Sequence, residues 1–139
     1  MNNKELRELA RAWLKGAKIL DKHNDHDGAV YLIGYVIEFS LKAIICKRLN
    51  LCDYPESGDD AKFFKTHNYD RLLTLSGMSD KISINGDQDL WQNWSKLTSF
   101  PSTTVRYEPV GTYNQQDVQE LLEALESDKG FLTFAKKRW

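Results

Sequence analysis

The sequence predicts one all-α domain over residues 1–139, an up-and-down helical bundle of two to three long helices plus two short helices. Apolar residues recur at intervals of three and four along several segments, which is the spacing of a helix with one buried face. No segment of useful length alternates apolar and polar residues as a half-buried strand does. A chain of 139 residues, 41% of them hydrophobic, is long enough to enclose one core without disulfides or metal.

The first two helices are predicted to be antiparallel neighbours. The first runs from about Asn3 to Lys22, and its apolar residues share one stripe: Leu6, Ala10, Trp13, Ala17 and Leu20. Residues 23–28 supply capping and turn residues over a short connection. The second helix, from about Asp25 to Leu51, is apolar on nearly every face, so we expect it in the middle of the bundle.

Two short helices are predicted to follow a loop. Residues 53–64 contain a proline, a glycine and paired aspartates, which indicate a loop of about a dozen residues. Thr66 is expected to cap a helix over residues 68–75 that Gly77 closes. The turn Asn85-Gly86-Asp87 opens another helix through Leu97, and we expect its Trp91 and Trp94 in the core rather than in a stacking platform.

The C-terminal part is predicted to be a non-helical segment followed by one long helix. Residues 100–111 contain Pro101, Pro109 and a glycine, which argue against a continuous helix. Asn114 is expected to cap the last helix. The apolar residues of that helix lie near one face: Val118, Leu122, Leu125, Leu132 and Ala135.

Charge and cysteine content limit the classes of function. The 19 basic and 20 acidic residues give a net charge of −1, so the chain is not a nucleic-acid-binding protein of the strongly basic kind. Any contact with nucleic acid must then be local. The first 52 residues carry 9 basic and 6 acidic groups, which allows a modest basic face there. Two cysteines form no disulfide framework, and the charged start of the chain lacks the apolar core of a signal peptide, so we expect a cytoplasmic protein.

The apolar stretch over residues 28–46 has the length of a membrane span. Glu38 lies close to its centre and Lys42 follows one turn later. Each charge at the centre of a membrane helix costs about 2.5–3.5 kcal/mol on insertion scales. We therefore interpret this stretch as the buried central helix of a soluble bundle, with no membrane partner.

Glu38 and Lys42 are the strongest physical signal in the sequence. Their i, i+4 spacing places them together on one face of a helix that is otherwise apolar. Buried charges are costly unless they are paired and hydrogen-bonded. The pair is therefore either a structural ion pair whose ends reach water or part of a polar cleft at the surface of the bundle or of a dimer.

Two further segments contain candidate binding residues. Lys65, Thr66 and His67 precede a short helix, whose N-terminus can attract phosphate. The alternative is that Thr66 is only a cap and that His67 is a partner for it or for a neighbouring carboxylate. Arg106 and Tyr107 lie on a non-helical segment, where the guanidinium suits phosphate and the ring suits stacking on a base. The alternative is that Arg106 ties its loop to a helix C-terminus or pairs with Glu38.

Metal and cofactor chemistry are not expected. The donors in residues 23–27 are adjacent in a helix–helix turn and do not set a closed coordination site. Cys46 is expected to be a buried small residue and Cys52 a loop thiol, and their spacing is not that of a zinc site. No Gly-rich phosphate loop or other known catalytic motif is present.

The order of these motifs resembles the HEPN family of small bacterial proteins over about residues 10–139. The matching segments are Gly34-Tyr35-x-x-Glu38-x-x-Leu41-Lys42-x-x-Ile45, then Phe64-Lys65-Thr66-His67-x-x-x-x-Leu72-Leu73, a Trp-bearing helix, Arg106-Tyr107 and a long final helix. The resemblance implies an up-and-down helical bundle that is commonly homodimeric. It also implies a metal-independent ribonuclease of toxin–antitoxin or phage-defence systems, a nucleotide-binding protein, or a non-catalytic partner of a nucleotidyltransferase.

The sequence departs from the nuclease members of that family at the active site. Those members carry an arginine followed after four to six residues by a histidine, whereas none of the three histidines here follows an arginine at that distance. We therefore expect nucleotide or RNA binding, with Arg106 and Lys65 on phosphate, Tyr107 on the base, and His67, Glu38 and Lys42 as a polar floor. The alternatives are a metal-independent endoribonuclease that uses His67 and Arg106, and a non-catalytic module that binds a protein encoded nearby.

Overall fold

The computed structural model describes residues 1–100 and 105–139, and all regular structure within these ranges is helical. Its helices are α1 (Asn3–Lys22), α2 (His26–Arg48), α3 (Ala61–Phe64), α4 (Tyr69–Ser76), α5 (Gln88–Thr98), α6 (Gln115–Glu126) and α7 (Phe131–Lys136), with a 3₁₀ turn over Val105–Tyr107. No strand occurs in the described ranges, and the predicted all-α helical bundle is confirmed. The part of the predicted non-helical segment that covers residues 101–104 lies outside the described residues.

Helices α1 and α2 form the antiparallel pair that the sequence predicts. The capping box of α1 joins Asn2 and Glu5: the Asn2 side chain accepts the Glu5 amide, and the Glu5 carboxylate accepts the Asn2 amide. Asp25 caps α2 by accepting the amide of Gly28 at 2.9 Å. Helix α2 ends at Arg48 rather than at Leu51, because Asn50 has a φ of 52° and takes the chain into the left-handed region.

Helix α2 lies in the middle of the bundle. It packs against α1, α4, α6 and α7, and the residues that it buries point to all sides. By length and composition it is the one helix among the described residues that is apolar enough to cross a membrane, but 72% of its most apolar window is buried inside the bundle. Its hydrophobicity is therefore that of a core helix covered on several sides.

The segment between α2 and α4 is more ordered than the predicted loop. It contains the short helix α3, and it is anchored by Tyr54, whose ring is buried. The Tyr54 hydroxyl donates to the carbonyl of Phe64 at 2.7 Å. The backbone amide of Tyr54 donates to the carbonyl of Met1 at 2.8 Å. These bonds hold the segment against the start of α1.

The predicted cap of the short helix α4 is wrong by two residues. Asn68, not Thr66, accepts the amide of Arg71 at 2.9 Å, and the Thr66 hydroxyl instead accepts the amide of Asn68 at 3.1 Å. Asn68 directly precedes the first turn and is in the right position for the cap, whereas Thr66 lies two residues too early. The predicted end of the helix is correct, since Gly77 adopts the left-handed conformation with a φ of 72°.

The last helix is predicted as one and is found as two. Helix α6 ends at Glu126, where Ser127 is extended, and α7 begins after Gly130. A side chain at Gly130 would collide with the backbone carbonyl of Leu125, so a glycine is needed at this close approach. The Thr133 hydroxyl donates to the carbonyls of Ser127 (2.8 Å) and Glu126 (3.3 Å), which satisfies the end of α6.

The tryptophans and cysteines divide between core and surface. Trp94 is 2% exposed and packs against Phe131, whereas Trp91 is only partly buried. Cys46 is buried, and burial raises the pKa of its thiol. Cys52 is exposed, as expected of a loop thiol.

Candidate functional site

The site is built around Glu38, which is 4% exposed near the middle of α2. One carboxylate oxygen lies 2.8 Å from Nζ of Lys42, and the other lies 2.9 Å from Nδ1 of His67. The predicted contact of Glu38 with Lys42 is therefore present, and His67 joins it from the segment before α4. Both oxygens are used, so the buried carboxylate has the partners that its desolvation requires.

Lys42 is a buried cation with two neighbours. It is 7% exposed, and besides Glu38 it faces the ring of Tyr54, with Nζ 4.9 Å from the ring centroid. The ring offers its negative face to the ammonium group, which adds a cation–π contact to the ion pair. Burial raises the pKa of Tyr54, so its hydroxyl stays a neutral donor to the loop. Lys42 is thus nearly enclosed by the core, with 9% of its side chain exposed.

His67 is the member of the cluster that faces solvent, with 59% of its side chain exposed. A carboxylate only accepts hydrogen bonds, so the bond to Glu38 assigns the proton of a neutral ring to Nδ1. The other nitrogen, Nε2, is then the acceptor that the ring presents to a ligand. A buried carboxylate that orients an exposed imidazole is an arrangement suited to proton transfer.

Two tyrosines that sequence reasoning missed extend this face of α2. The hydroxyls of Tyr31 and Tyr35 are 3.0 Å apart, and the Tyr35 ring stacks between those of Trp13 and Phe39, with ring centroids 5.8 Å away on each side. A usable signal was present: Tyr31, Tyr35 and Phe39 are four residues apart, on the same side of α2 as Glu38.

The electrostatics of Tyr35 connect the cluster to the 3₁₀ turn. The hydrogen bond with Tyr31, together with burial and the nearby Glu38 carboxylate, raises the pKa of Tyr35 to about 12, and the bond with Tyr31 has the largest effect. The Arg106 guanidinium opposes this shift, so Arg106 is close enough for its charge to act on the tyrosine. The turn also packs on α2, the helix that carries both Tyr35 and Glu38.

Arg106 and Tyr107 are both exposed and contact each other. The guanidinium carbon lies 4.9 Å from the centroid of the Tyr107 ring, and Tyr107 is 76% exposed. Within the described residues Arg106 makes no ion pair with Glu38, whose oxygens are already taken by Lys42 and His67. The alternative prediction that Arg106 pairs with Glu38 is therefore wrong, and the guanidinium is directed to solvent and its neighbouring ring.

Lys65 and Thr66 are not drawn into the cluster. The exposed Lys65 side chain makes no hydrogen bond or ion pair within residues 1–100 and 105–139, and the Thr66 hydroxyl accepts a local amide. Within residues 23–27, His26 Nδ1 lies 3.0 Å from Asp21 and Asp25 caps α2. Among the described residues no three His, Cys, Asp or Glu side chains are grouped as metal ligands.

Asp27 holds the loop that follows Arg106. Its two carboxylate oxygens accept the amide of Tyr113 at 2.9 Å and the amide of Gly111 at 2.6 Å. These two bonds lower the pKa of Asp27 below its usual range, the bond from Tyr113 having the larger effect. The first turn of α2 thereby fixes the far end of the loop that presents Arg106 and Tyr107.

We expect this tether to weaken in acid. A carboxylate with a lowered pKa contributes stability that is complete above the usual aspartate value of about 3.9 and is lost as pH falls through the lowered pKa. Asp27→Asn should make the amides of Gly111 and Tyr113 exchange faster at neutral pH and remove the acid dependence of their protection. Hydrogen exchange followed by NMR measures both. Asp59→Asn, at an exposed site, is the control, and unchanged protection of the two amides in Asp27→Asn would contradict the tether.

Comparison of the chain with protein-family models, with curated proteins and with solved structures gives no match. The fold is an all-α helical bundle, and the candidate site consists of an exposed imidazole on a buried carboxylate of α2 and an exposed arginine–tyrosine pair on the turn that packs on α2.

Proposed function

We propose that this protein binds a nucleotide or RNA at the face of α2 that holds Glu38, and that it is a small HEPN-like component of a bacterial defence or toxin–antitoxin system. The observation that supports this most is that the buried Glu38 of α2 holds an exposed imidazole, while an exposed guanidinium and an exposed aromatic ring lie on the 3₁₀ turn that packs on the same helix. Phosphate, base and sugar hydroxyl are the groups that such a set recognises.

Each residue has a distinct role in this proposal. Arg106 binds a phosphate through its fork of donors, and Tyr107 stacks on the base, for which its exposed ring is available. His67 accepts a hydrogen bond from a sugar hydroxyl through Nε2. Glu38 and Lys42 are positioning residues that hold the imidazole. Lys65, two residues before His67, adds the positive charge of an exposed side chain.

The resemblance to the HEPN family supplies the biological setting of the proposal. It favours a cytoplasmic homodimer and a protein partner encoded nearby. The motifs from Gly34 to Ile45 and from Phe64 to Leu73, which define the resemblance, are also the segments that supply Glu38, Lys42 and His67 to the site.

Fluorescence anisotropy with a labelled hexaribonucleotide, together with calorimetric titration of mononucleotides, tests the proposal. Arg106→Ala should weaken binding at least about 10-fold, because charged hydrogen bonds to phosphate contribute roughly 1.5–3 kcal/mol. Tyr107→Ala should weaken it too, whereas Tyr107→Phe should not, since the ring is retained. Arg48→Ala removes an exposed arginine elsewhere and is the matched control. Equal affinities for wild type and Arg106→Ala would overturn this assignment of the site.

A second function, metal-independent cleavage of RNA, is favoured by the bond of His67 to Glu38. In this reaction His67 Nε2 takes the proton of a 2′-hydroxyl, the 2′-oxygen attacks phosphorus, and the phosphorus–5′-oxygen bond breaks as the 5′-oxygen takes a proton from the imidazolium or from water. Arg106 stabilises the charge that develops on the phosphate. Incubation with RNA in EDTA should then yield 2′,3′-cyclic phosphate ends, and both His67→Ala and a 2′-deoxy substrate should abolish cleavage. Intact RNA with the wild-type protein would leave binding as the function.

A further inference from the structure

Helix α1 carries a row of basic residues along its whole length. They are spaced by three or four positions, so they fall within roughly 80° of the helix circumference and extend over about 27 Å. We name this row the α1 stripe: Lys4, Arg7, Arg11, Lys15, Lys18 and Lys22. A chain with a net charge of −1 thus concentrates six cations on one line.

Most of the α1 stripe has no acidic partner. Arg11, Lys15 and Lys22 are exposed and form no ion pair within the described residues. Lys18 pairs with Glu126 at 2.8 Å, and Lys4 lies 3.9 Å from Glu8, with both side chains exposed. Arg7 is half-buried, and its buried Nε has no hydrogen-bond partner in the described part of the chain.

Most acidic residues of α1 have partners outside the α1 stripe. Glu5 belongs to the capping box, and Asp21 lies 3.0 Å from His26 at the start of α2. Only Glu8 borders the α1 stripe, next to Lys4. No acidic side chain of α1 therefore forms an ion pair with the basic residues from Arg11 to Lys22.

The surroundings of the α1 stripe argue against a membrane as its ligand. A helix that lies on a lipid surface needs a wide exposed apolar face. The apolar face of α1 is buried in the bundle, and beside the stripe the exposed large apolar residue is Ile19, at 47%. Ile19 and Leu14 lie in a shallow groove of about 390 Å³ whose other walls are the basic side chains from Arg11 to Lys22.

We infer that the α1 stripe binds the sugar–phosphate backbone of a nucleic acid strand without reading its sequence. Cations one helical turn apart, about 5–6 Å along the axis, match a ligand whose negative charges repeat along a line. All six side chains of the stripe are cationic donors, and its neighbouring carboxylates, Glu8 and Glu126, lie beside Lys4 and Lys18, so the stripe recognises charge rather than sequence.

The α1 stripe is separate from the site on α2. The guanidinium carbon of Arg11 lies 5.2 Å from the centroid of the Trp139 ring, and Lys18 pairs with Glu126 of α6. The stripe therefore borders the C-terminal part of the bundle. Trp13, on another side of α1, is the residue that meets Tyr35. The inference therefore does not rest on the proposed function, and the two surfaces can be tested independently.

The experiment measures anisotropy of a labelled 20-nucleotide single-stranded RNA of mixed sequence, and of its duplex, from 50 to 200 mM KCl. Each lost phosphate contact lowers the magnitude of the log–log salt slope by about 0.7 on a single strand. The triple variant Arg11→Ala, Lys15→Ala, Lys22→Ala should therefore reduce the slope by about 2. Wild-type affinity should fall with salt about 20-fold more than that of the variant over this range.

A triple variant outside α1, Lys81→Ala, Lys96→Ala, Lys136→Ala, removes the same charge and should keep the wild-type slope. Mononucleotide binding should be the same in wild type and the α1 variant, which separates this result from failure of the site on α2. Equal salt slopes in the α1 variant and the wild type would overturn the inference. Binding of anionic phosphatidylserine vesicles or of polyglutamate in preference to RNA would also overturn it, in favour of a membrane or an acidic protein.

Discussion

Replacing Glu38 by alanine should destabilise the folded protein by about 3–5 kcal/mol, because the change leaves a charged group buried without its partner. Lys42 is only 7% exposed, and apart from Glu38 its neighbour is the ring of Tyr54. Loss of the bond to His67 adds little, since 59% of that side chain is already in solvent. Urea unfolding followed by circular dichroism measures the free energy of unfolding.

Two controls separate the buried charge from the loss of side-chain volume. Replacing both Glu38 and Lys42 by methionine removes the charges together and should leave stability near that of the wild type or increase it. Glu8→Ala breaks an exposed pair of the same spacing and should change the free energy of unfolding by less than about 1 kcal/mol. A loss below about 1 kcal/mol in Glu38→Ala would show that Lys42 finds water or another partner.

Replacing Trp94 by alanine should cost about 3–5 kcal/mol of stability through the cavity that it leaves. Trp94 is 2% exposed, and its ring centroid lies 5.1 Å from that of Phe131 and 6.3 Å from that of Tyr69. The indole thereby fills the space where α5, α7 and α4 meet. Chemical denaturation detects the loss as a lower midpoint with an unchanged slope.

Trp91 provides the matched control in the same helix. It is only partly buried, so Trp91→Ala removes the same atoms from a site that already contacts water, and it should cost clearly less than Trp94→Ala. Equal stability of the two variants would show that burial of the indole does not determine how much each tryptophan contributes to the free energy of unfolding. A near-wild-type Trp94→Ala protein would mean that the three helices close over the vacant space.

Periodicity was sufficient to predict the helices whose packing face repeats regularly. The bounds of α1 were predicted correctly, and the central position of α2 followed from its apolar surface. Periodicity did not predict where backbone geometry ends a helix. Asn50 in the left-handed region ends α2 early, and Gly130 against the Leu125 carbonyl divides the last helix, yet neither event changes the apolar pattern.

The site was predictable where its residues are neighbours on one helix. The contact of Glu38 with Lys42 follows from i, i+4 spacing, whereas His67, 29 residues further on, reaches Glu38 only through tertiary packing. The cap at Thr66 was predicted wrongly because Asn68 competes for the same helix end. Sequence spacing also gave no indication that Asp27 would reach the loop around Gly111.

Because Asp27 binds the loop after Arg106, helix α2 positions both His67 and the segment that carries Arg106 and Tyr107. Glu38 fixes the imidazole from the middle of this helix, and Asp27 fixes the loop from its first turn, about 16 Å away at 1.5 Å per residue. Because a single helix sets this distance, substitution of Arg106 or Tyr107 can change ligand preference without altering the core. We expect selections for new specificity to accumulate changes in the loop, while Asp27 and Glu38 stay fixed.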